Sequence, residues 1–119
     1  MIKANELRIG NWIFEAEQDD NKPFQIFSIY HEVKNDKVNG LPICLMRPIP
    51  LTEDILVKCG FECFEFDNGQ PNQYRFKSRL IVIRDNVFID YGSSVKILYL
   101  HQLQNLYFTL TNEELSINL

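Results

Sequence analysis

The chain lacks the long apolar run and the basic excess on which several classes of protein depend. No stretch of its 119 residues approaches the roughly 20 apolar residues that cross a bilayer, and its first residues lack the apolar core of a signal peptide. Twelve Lys and Arg stand against 16 Asp and Glu, so global attraction to nucleic acid or anionic membrane is not expected. We predict a cytoplasmic protein without membrane contact.

Glycine and cysteine are also few. The five glycines form no phosphate-binding loop, and the sequence contains neither G-x-S-x-G nor H-E-x-x-H. Three cysteines, Cys44, Cys59 and Cys63, cannot all pair within the chain, and their apolar neighbours predict reduced core thiols. The spacing of Cys59 and Cys63 fits neither a thioredoxin-type motif nor half of a four-ligand zinc site. The sequence therefore predicts no cofactor and no metal.

Candidate catalytic groups are scattered. Neither His31 nor His101 lies beside a cysteine in a nucleophilic signature. Asp85 and Asp90 flank an apolar hairpin, but acids in a turn or at a strand end are usually solvated. We predict that the protein is not an enzyme; a pocket that holds His31 or His101 beside a carboxylate would be needed to support catalysis.

What the sequence does contain is the pattern of a globular α+β chain. Hydrophobic residues make up 45% and charged residues 24%, and the length fits a single domain spanning residues 1–119. Strand-like segments follow one another from Leu7 to Met46, with the longest at Phe24 to Val33 and a turn at Asn39-Gly40. Two more hairpins are predicted between Glu62 and Ile89, the second with a tight type I′ turn at Asp85-Asn86.

Two helices interrupt these strands. The first is predicted at about 52–59, with Thr52 as N-cap and Gly60 in the left-handed conformation after its end. The second is predicted at 99–111, with Asn112 as its stop. The sequence thus predicts a strongly bent antiparallel sheet of about six to eight strands with two packed helices. The N-terminal half resembles an SH3-like barrel by analogy of fold alone.

The second helix has two faces to explain. A leucine and tyrosine stripe predicts burial over the sheet, through Leu100, Leu103, Leu106, Tyr107 and Leu110. The other face gathers three polar side chains and one aromatic, namely His101, Gln104, Asn105 and Phe108. Two interpretations stay open: the face is covered and its amides bond neighbouring backbone, or it is an exposed surface that binds a protein partner.

Three segments carry a resemblance to a known family. They are LRIGNWI at Leu7 to Ile13, PIPLTEDILVKCGF at Pro48 to Phe61, and YLHQLQNLYFTLTNEEL at Tyr99 to Leu115. The chain resembles small uncharacterised proteins of bacterial genomes, phages and other mobile elements, in which the last segment commonly reads HQLQNLYFALTGEEL. Thr109 and Asn112 replace the alanine and glycine of that motif. The resemblance implies a phage or mobile-element context and no particular activity.

These observations favour one function and leave one alternative. The favoured function is a non-enzymatic interaction or accessory protein that binds another protein through a sheet edge or the second face of the closing helix. The alternative is a nucleic-acid-binding module in which Trp12 and Phe27 stack on bases while Lys and Arg side chains contact phosphates.

Overall fold

The computed structural model describes residues 2–15, 22–31, 36–65, 72–77 and 79–119. The predicted α+β class is confirmed, since these residues form antiparallel strands and two α-helices. The eleven described strands are divided among three sheets, however, and not joined in the one sheet of six to eight strands that the sequence suggested. No described helix has the length and apolar character needed to cross a membrane.

The described residues group into two compact units, Met1–Pro50 with Tyr99–Glu113 and Leu51–Leu98 with Glu114–Leu119. The assignment of the whole chain to one domain stays a prediction, as does the SH3-like character of the N-terminal half. The first unit holds β1 (Trp12–Glu15), β2 (Pro23–Gln25), β3 (Ile29–Tyr30), β4 (Lys37–Val38), β5 (Leu41–Pro42), β6 (Met46–Pro48) and helix α2 (Leu100–Thr111). The second holds helix α1 (Glu53–Lys58), β7 (Glu62–Phe64), β8 (Gln73–Phe76), β9 (Arg79–Arg84), β10 (Val87–Asp90) and β11 (Lys96–Ile97).

The first unit is built from two three-stranded sheets, ordered β2-β1-β6 and β3-β4-β5. Short 3₁₀ turns at Ala4–Glu6 and Ile43–Leu45 contribute further buried side chains. The side chain of Ile13 on β1 is fully buried beside those of Ile26 and Val38. This apolar cluster fixes the N-terminal segment, and the same segment makes polar contacts with α2.

The prediction of one long strand from Phe24 to Val33 is wrong, because the chain leaves the ladder after Gln25 and re-enters it at Ile29. The last two positions of that predicted strand, 32 and 33, lie outside the described residues. The side chain of Asn39 causes the break: its Oδ1 accepts from the backbone N–H groups of Phe27 and Ser28 at 2.8 and 3.1 Å. A side-chain amide thus replaces a neighbouring strand. As a result the side chain of Phe27 is 73% exposed.

Helix α2 begins and ends as the sequence indicates. Gln102 Oε1 accepts from the Tyr99 N–H at 3.1 Å, and Asn112 adopts the left-handed conformation with φ 58°. Three members of the predicted apolar stripe are buried, Leu100, Leu103 and Tyr107. The prediction is wrong at Leu110, which is 44% exposed in the last turn of the helix, while Leu106 is half-buried.

The second unit is a five-stranded sheet, ordered β11-β10-β9-β8-β7, together with α1. The Ile55 N–H donates to the Thr52 hydroxyl at 3.2 Å, and Gly60 has φ +97°, which confirms both predicted ends of α1. Asp85 and Asn86 both have positive φ, as the predicted type I′ turn requires. The hairpin of β9 and β10 is central in this sheet, in agreement with its apolar sequence.

The prediction that all three cysteines are core thiols holds only for Cys59, whose burial raises the pKa of its thiol to about 12. Cys44 is exposed because the Ile43–Leu45 turn points Ile43 inward instead. Cys63 is exposed because β7 is an edge strand whose residues are all exposed. The apolar neighbours of Cys44 and Cys63 were therefore a poor guide to burial.

Candidate functional site

The face of α2 that was proposed to bind a partner lies mostly inside the first unit. His101 and Gln104 are each 1% exposed, and Asn105 and Phe108 are half-buried. Buried side chains cannot form an exposed contact surface, so the prediction of a four-residue binding face is wrong for His101 and Gln104. The positions match the other interpretation, in which the amides bond neighbouring backbone.

Gln104 bonds the backbone of the N-terminal segment twice. Its Oε1 accepts from the Trp12 N–H at 2.9 Å, and its Nε2 donates to the Gly10 carbonyl at 3.0 Å. Gly10 has φ 100°, and this left-handed conformation lets its carbonyl face the helix while the chain enters β1. The glutamine therefore takes the place of a paired strand at the start of β1.

Asn105 bonds the same segment one helical position later. Its Oδ1 accepts from Asn11 Nδ2 at 2.8 Å and from Arg8 Nε at 3.2 Å, and its Nδ2 donates to the Glu6 carbonyl at 2.9 Å. Asn11 is itself fully buried, and its Oδ1 accepts from the Arg8 N–H at 2.7 Å. We refer to Asn11, Gln104 and Asn105 as the amide cluster. The bond between Asn11 and Asn105, together with the bonds of all three side chains to the backbone of the N-terminal segment, satisfies polar atoms that would otherwise be buried without partners.

Phe108 adds an aromatic contact between α2 and the N-terminal segment, through Arg8. The Arg8 guanidinium carbon lies 4.3 Å from the ring centroid, a distance at which a cation and an aromatic face attract each other. Phe108 is thus partly covered by the protein's own arginine. Two of the segments that carry the family resemblance, LRIGNWI and HQLQNLYF, are the two sides of this contact, so their joint occurrence has a structural explanation.

The fourth member of the face, His101, lines a separate cavity of about 160 Å³ in the first unit, together with Ile2, Glu6, Pro48 and Tyr99. Its Nε2 lies 3.7 Å from Glu6 Oε2, and its ring stacks on that of Tyr99 at 5.8 Å between centroids. Neither ring nitrogen has a hydrogen-bond partner among the described residues. The arrangement required above for catalysis, a histidine beside a carboxylate at a cavity, is therefore present.

The charge state of this histidine follows from its surroundings. Burial lowers the pKa of His101, and the Glu6 carboxylate opposes that effect only in part. A neutral imidazole offers one N–H donor and one nitrogen acceptor. The described lining residues supply a base but no thiol and no serine or threonine hydroxyl, so they are better suited to bind a polar group than to attack one.

The pH dependence of stability should report on His101. Because its folded-state pKa lies below its unfolded value of about 6.5, the unfolded chain binds more protons below that pH. We therefore expect the free energy of unfolding to be constant above about pH 7 and to fall as the pH drops below about 6.5. Urea unfolding at pH values between 7.5 and 5.5 measures this free energy of unfolding. His101→Gln should flatten the dependence, and an equally steep decline in that variant would contradict the assignment.

The other histidine does not lie in a cavity. His31 Nδ1 is 3.1 Å from Asp36 Oδ1, and the imidazole side chain is 71% exposed. Asp90, predicted to be solvated, is 2% exposed, and its Oδ2 accepts from the N–H and hydroxyl of Ser93 at 3.1 and 2.7 Å. It therefore stabilises the turn after β10. Within the described ranges, no three His, Cys, Asp or Glu side chains are placed to hold a metal ion.

A larger cavity and an exposed aromatic mark another part of the first unit. The cavity has a volume of about 300 Å³ and is lined by Glu15, Lys22, Pro23, Phe24, Asn39 and Leu41. Asn39 belongs to this lining and also fixes the backbone beside Phe27 through its side chain, whose Nδ2 donates to the Gln25 carbonyl at 3.1 Å. The sequence indicated Phe27 only as a stacking group, and it indicated Asn39 only as a turn residue, since no local pattern reports its side-chain bonds.

Comparison of the chain with protein-family models, curated proteins and solved structures finds no match. The resemblance to the bacterial and phage family therefore stays a prediction.

Proposed function

We propose that this chain is a non-enzymatic interaction protein that binds a protein partner through Phe27 and the adjoining cavity of the first unit. The observation that carries the proposal is the 73% exposed side chain of Phe27, whose backbone is held in place by three hydrogen bonds with the Asn39 side chain. Ordering an interface costs conformational entropy, and a backbone that is already fixed avoids part of that cost. Aromatic anchors on such backbones are typical of binding hot spots.

The cavity suits an apolar side chain of the partner. Pro23, Phe24 and Leu41 give it apolar walls, and Glu15 and Lys22 contribute one charge of each sign. Asn39 lines the cavity and also accepts a hydrogen bond from the Phe27 N–H, so one side chain connects the cavity wall to the backbone that carries the exposed aromatic ring. The proposed binding surface is therefore the turn between β2 and β3, and not the second face of α2.

The charge of this unit favours a protein over a nucleic acid as the partner. Residues 1–50 and 99–113 contain six Lys and Arg against eight Asp and Glu. An exposed aromatic also suits base stacking, but phosphate contacts need a basic surface around it. Retention of single-stranded DNA or RNA at low salt, weakened as salt rises, would replace the protein proposal by the nucleic-acid alternative.

Phe27→Ala tests the proposal. Proteins captured from the native host by the wild-type chain would be identified, purified and titrated by calorimetry against wild type and variant. We expect Phe27→Ala to weaken binding at least about tenfold, as loss of an aromatic hot spot does. Its melting temperature should stay unchanged, since the side chain is exposed.

Tyr91→Ala is the matched control, because Tyr91 is a 60% exposed aromatic of the second unit. It should bind as tightly as wild type. Equal affinity of the Phe27→Ala and wild-type chains for every purified partner, or failure of every captured protein to bind in purified form, would refute the proposal.

A further inference from the structure

A second binding site is suggested by the His101 cavity, which plays no part in the proposed interaction. Its lining combines a buried imidazole, the Glu6 carboxylate and the Tyr99 ring with the apolar side chains of Ile2 and Pro48. His101 is 1% exposed, yet both of its ring nitrogens lack hydrogen-bond partners among the described residues. A buried polar group without a partner is costly, and a ligand that supplies one recovers that cost.

The signs of the charges select the ligand. Glu6 is the only formally charged residue among the described residues of the lining, and burial lowers the pKa of His101, which favours a neutral imidazole that can accept a hydrogen bond. The first turn of α2 lies beside the cavity, but the roughly half positive charge of a helix N-terminus is smaller than the full charge of a carboxylate. An anionic ligand would meet the Glu6 carboxylate with no basic side chain among the described lining residues, so the cavity disfavours carboxylates and phosphates.

A metal ion fits this site poorly. In the part of the lining that the structure describes, only Glu6 and His101 offer atoms that commonly bind zinc, whereas zinc sites use three or four protein ligands. An organic cation needs fewer fixed donors. An ammonium group can donate to a carboxylate and to an imidazole nitrogen at once, and an aromatic ring such as that of Tyr99 attracts it further.

We infer that the Glu6–His101–Tyr99 cavity binds an alkylammonium group, with the charged head between carboxylate and imidazole and the alkyl stem against Ile2 and Pro48. A volume of about 160 Å³ admits a short aliphatic amine or the end of a lysine side chain. Both sources present the same chemistry.

The chain contains only two histidines, so His31→Gln leaves a single imidazole whose NMR signals belong to His101. Titration of that variant at pH 7.5 with n-butylammonium chloride should shift these signals saturably. The neutral isostere n-butanol should bind at least about tenfold more weakly, because it lacks the charge-assisted hydrogen bond to Glu6. Sodium butyrate should not bind.

Glu6→Gln, made in the same background, should weaken n-butylammonium binding at least about tenfold. The Glu6 side chain is 43% exposed and the bond to Asn105 uses its backbone carbonyl, so this variant should fold normally. Phe27→Ala should bind the amine unchanged, which separates this site from the proposed function. Absence of a saturable shift, or equal binding of n-butanol, or no effect of Glu6→Gln, would overturn the inference.

Nα-acetyl-lysine amide is the second probe in this titration. If it shifts the His101 signals as n-butylammonium does, the site accepts the lysine side chain of another protein. If only n-butylammonium does so, the ligand is a free amine. Either result supports the inference, because both ligands present the same ammonium group.

Discussion

Gln104→Ala should lower the free energy of unfolding of the first unit by about 2–4 kcal/mol, the combined effect of a core cavity and of buried polar groups left unpaired. The side chain is 1% exposed and bonds both the Trp12 N–H and the Gly10 carbonyl. Deleting it leaves the Trp12 N–H at the start of β1 without its partner. Urea unfolding followed by tryptophan fluorescence is well suited, since Trp12 is the only tryptophan.

Gln25→Ala is the matched control for this experiment. Gln25 Nε2 also donates to the Gly10 carbonyl, at 3.0 Å, but the side chain is exposed. Solvent can replace that bond, so the expected loss is about 1 kcal/mol or less. Similar losses for the two variants would mean that burial does not strengthen the contribution of Gln104.

Asn11→Ala should destabilise the first unit by about 1–3 kcal/mol, because the side chain is fully buried and both of its amide atoms are bonded. Asn105→Ala should do the same through loss of its bonds to Asn11, Arg8 and the Glu6 carbonyl. Since the two amides bond each other, the double variant should lose less than the two single losses added together.

The difference between the summed losses of the two single variants and the loss of the double variant is the coupling energy of Asn11 and Asn105. Residues in one hydrogen-bond network typically show coupling energies of about 0.5–3 kcal/mol in a double-mutant cycle. Thr109→Ala combined with Asn11→Ala provides the comparison, because Thr109 is an exposed residue of α2 whose hydroxyl donates to the backbone carbonyl of Asn105. Additivity in the Asn11/Asn105 pair would show that the observed bond contributes no coupling.

The local signals in the sequence predicted the helices well. Thr52, Gly60 and Asn112 act through bonds and backbone angles within a few residues, and the structure places them as predicted. The type I′ turn at Asp85-Asn86 is equally local. Such features depend on nearest neighbours, so a single sequence contains what is needed to predict them.

The candidate site could not be predicted in the same way. Gln104 and Asn105 have the pattern of a polar helix face, and only the partners at Gly10, Asn11 and Trp12 turn that face inward. Those partners are more than 90 positions away, and no periodicity reports a contact of that separation. The exposure of Phe27 depends likewise on Asn39, whose side chain interrupts a segment that by composition reads as one strand.

The reach of the amide cluster along the chain also bears on biosynthesis. Asn11 and Asn105 are separated by 94 positions, so the first unit cannot be completed until the helix at Leu100–Thr111 has left the ribosome. Most of the second unit, residues 51–98, is synthesised within that interval. Contacts between distant positions slow folding, and a nascent chain that waits for them exposes apolar surface. A chain truncated before Tyr99 would lack helix α2, which contacts β1, and should depend on chaperones to stay soluble.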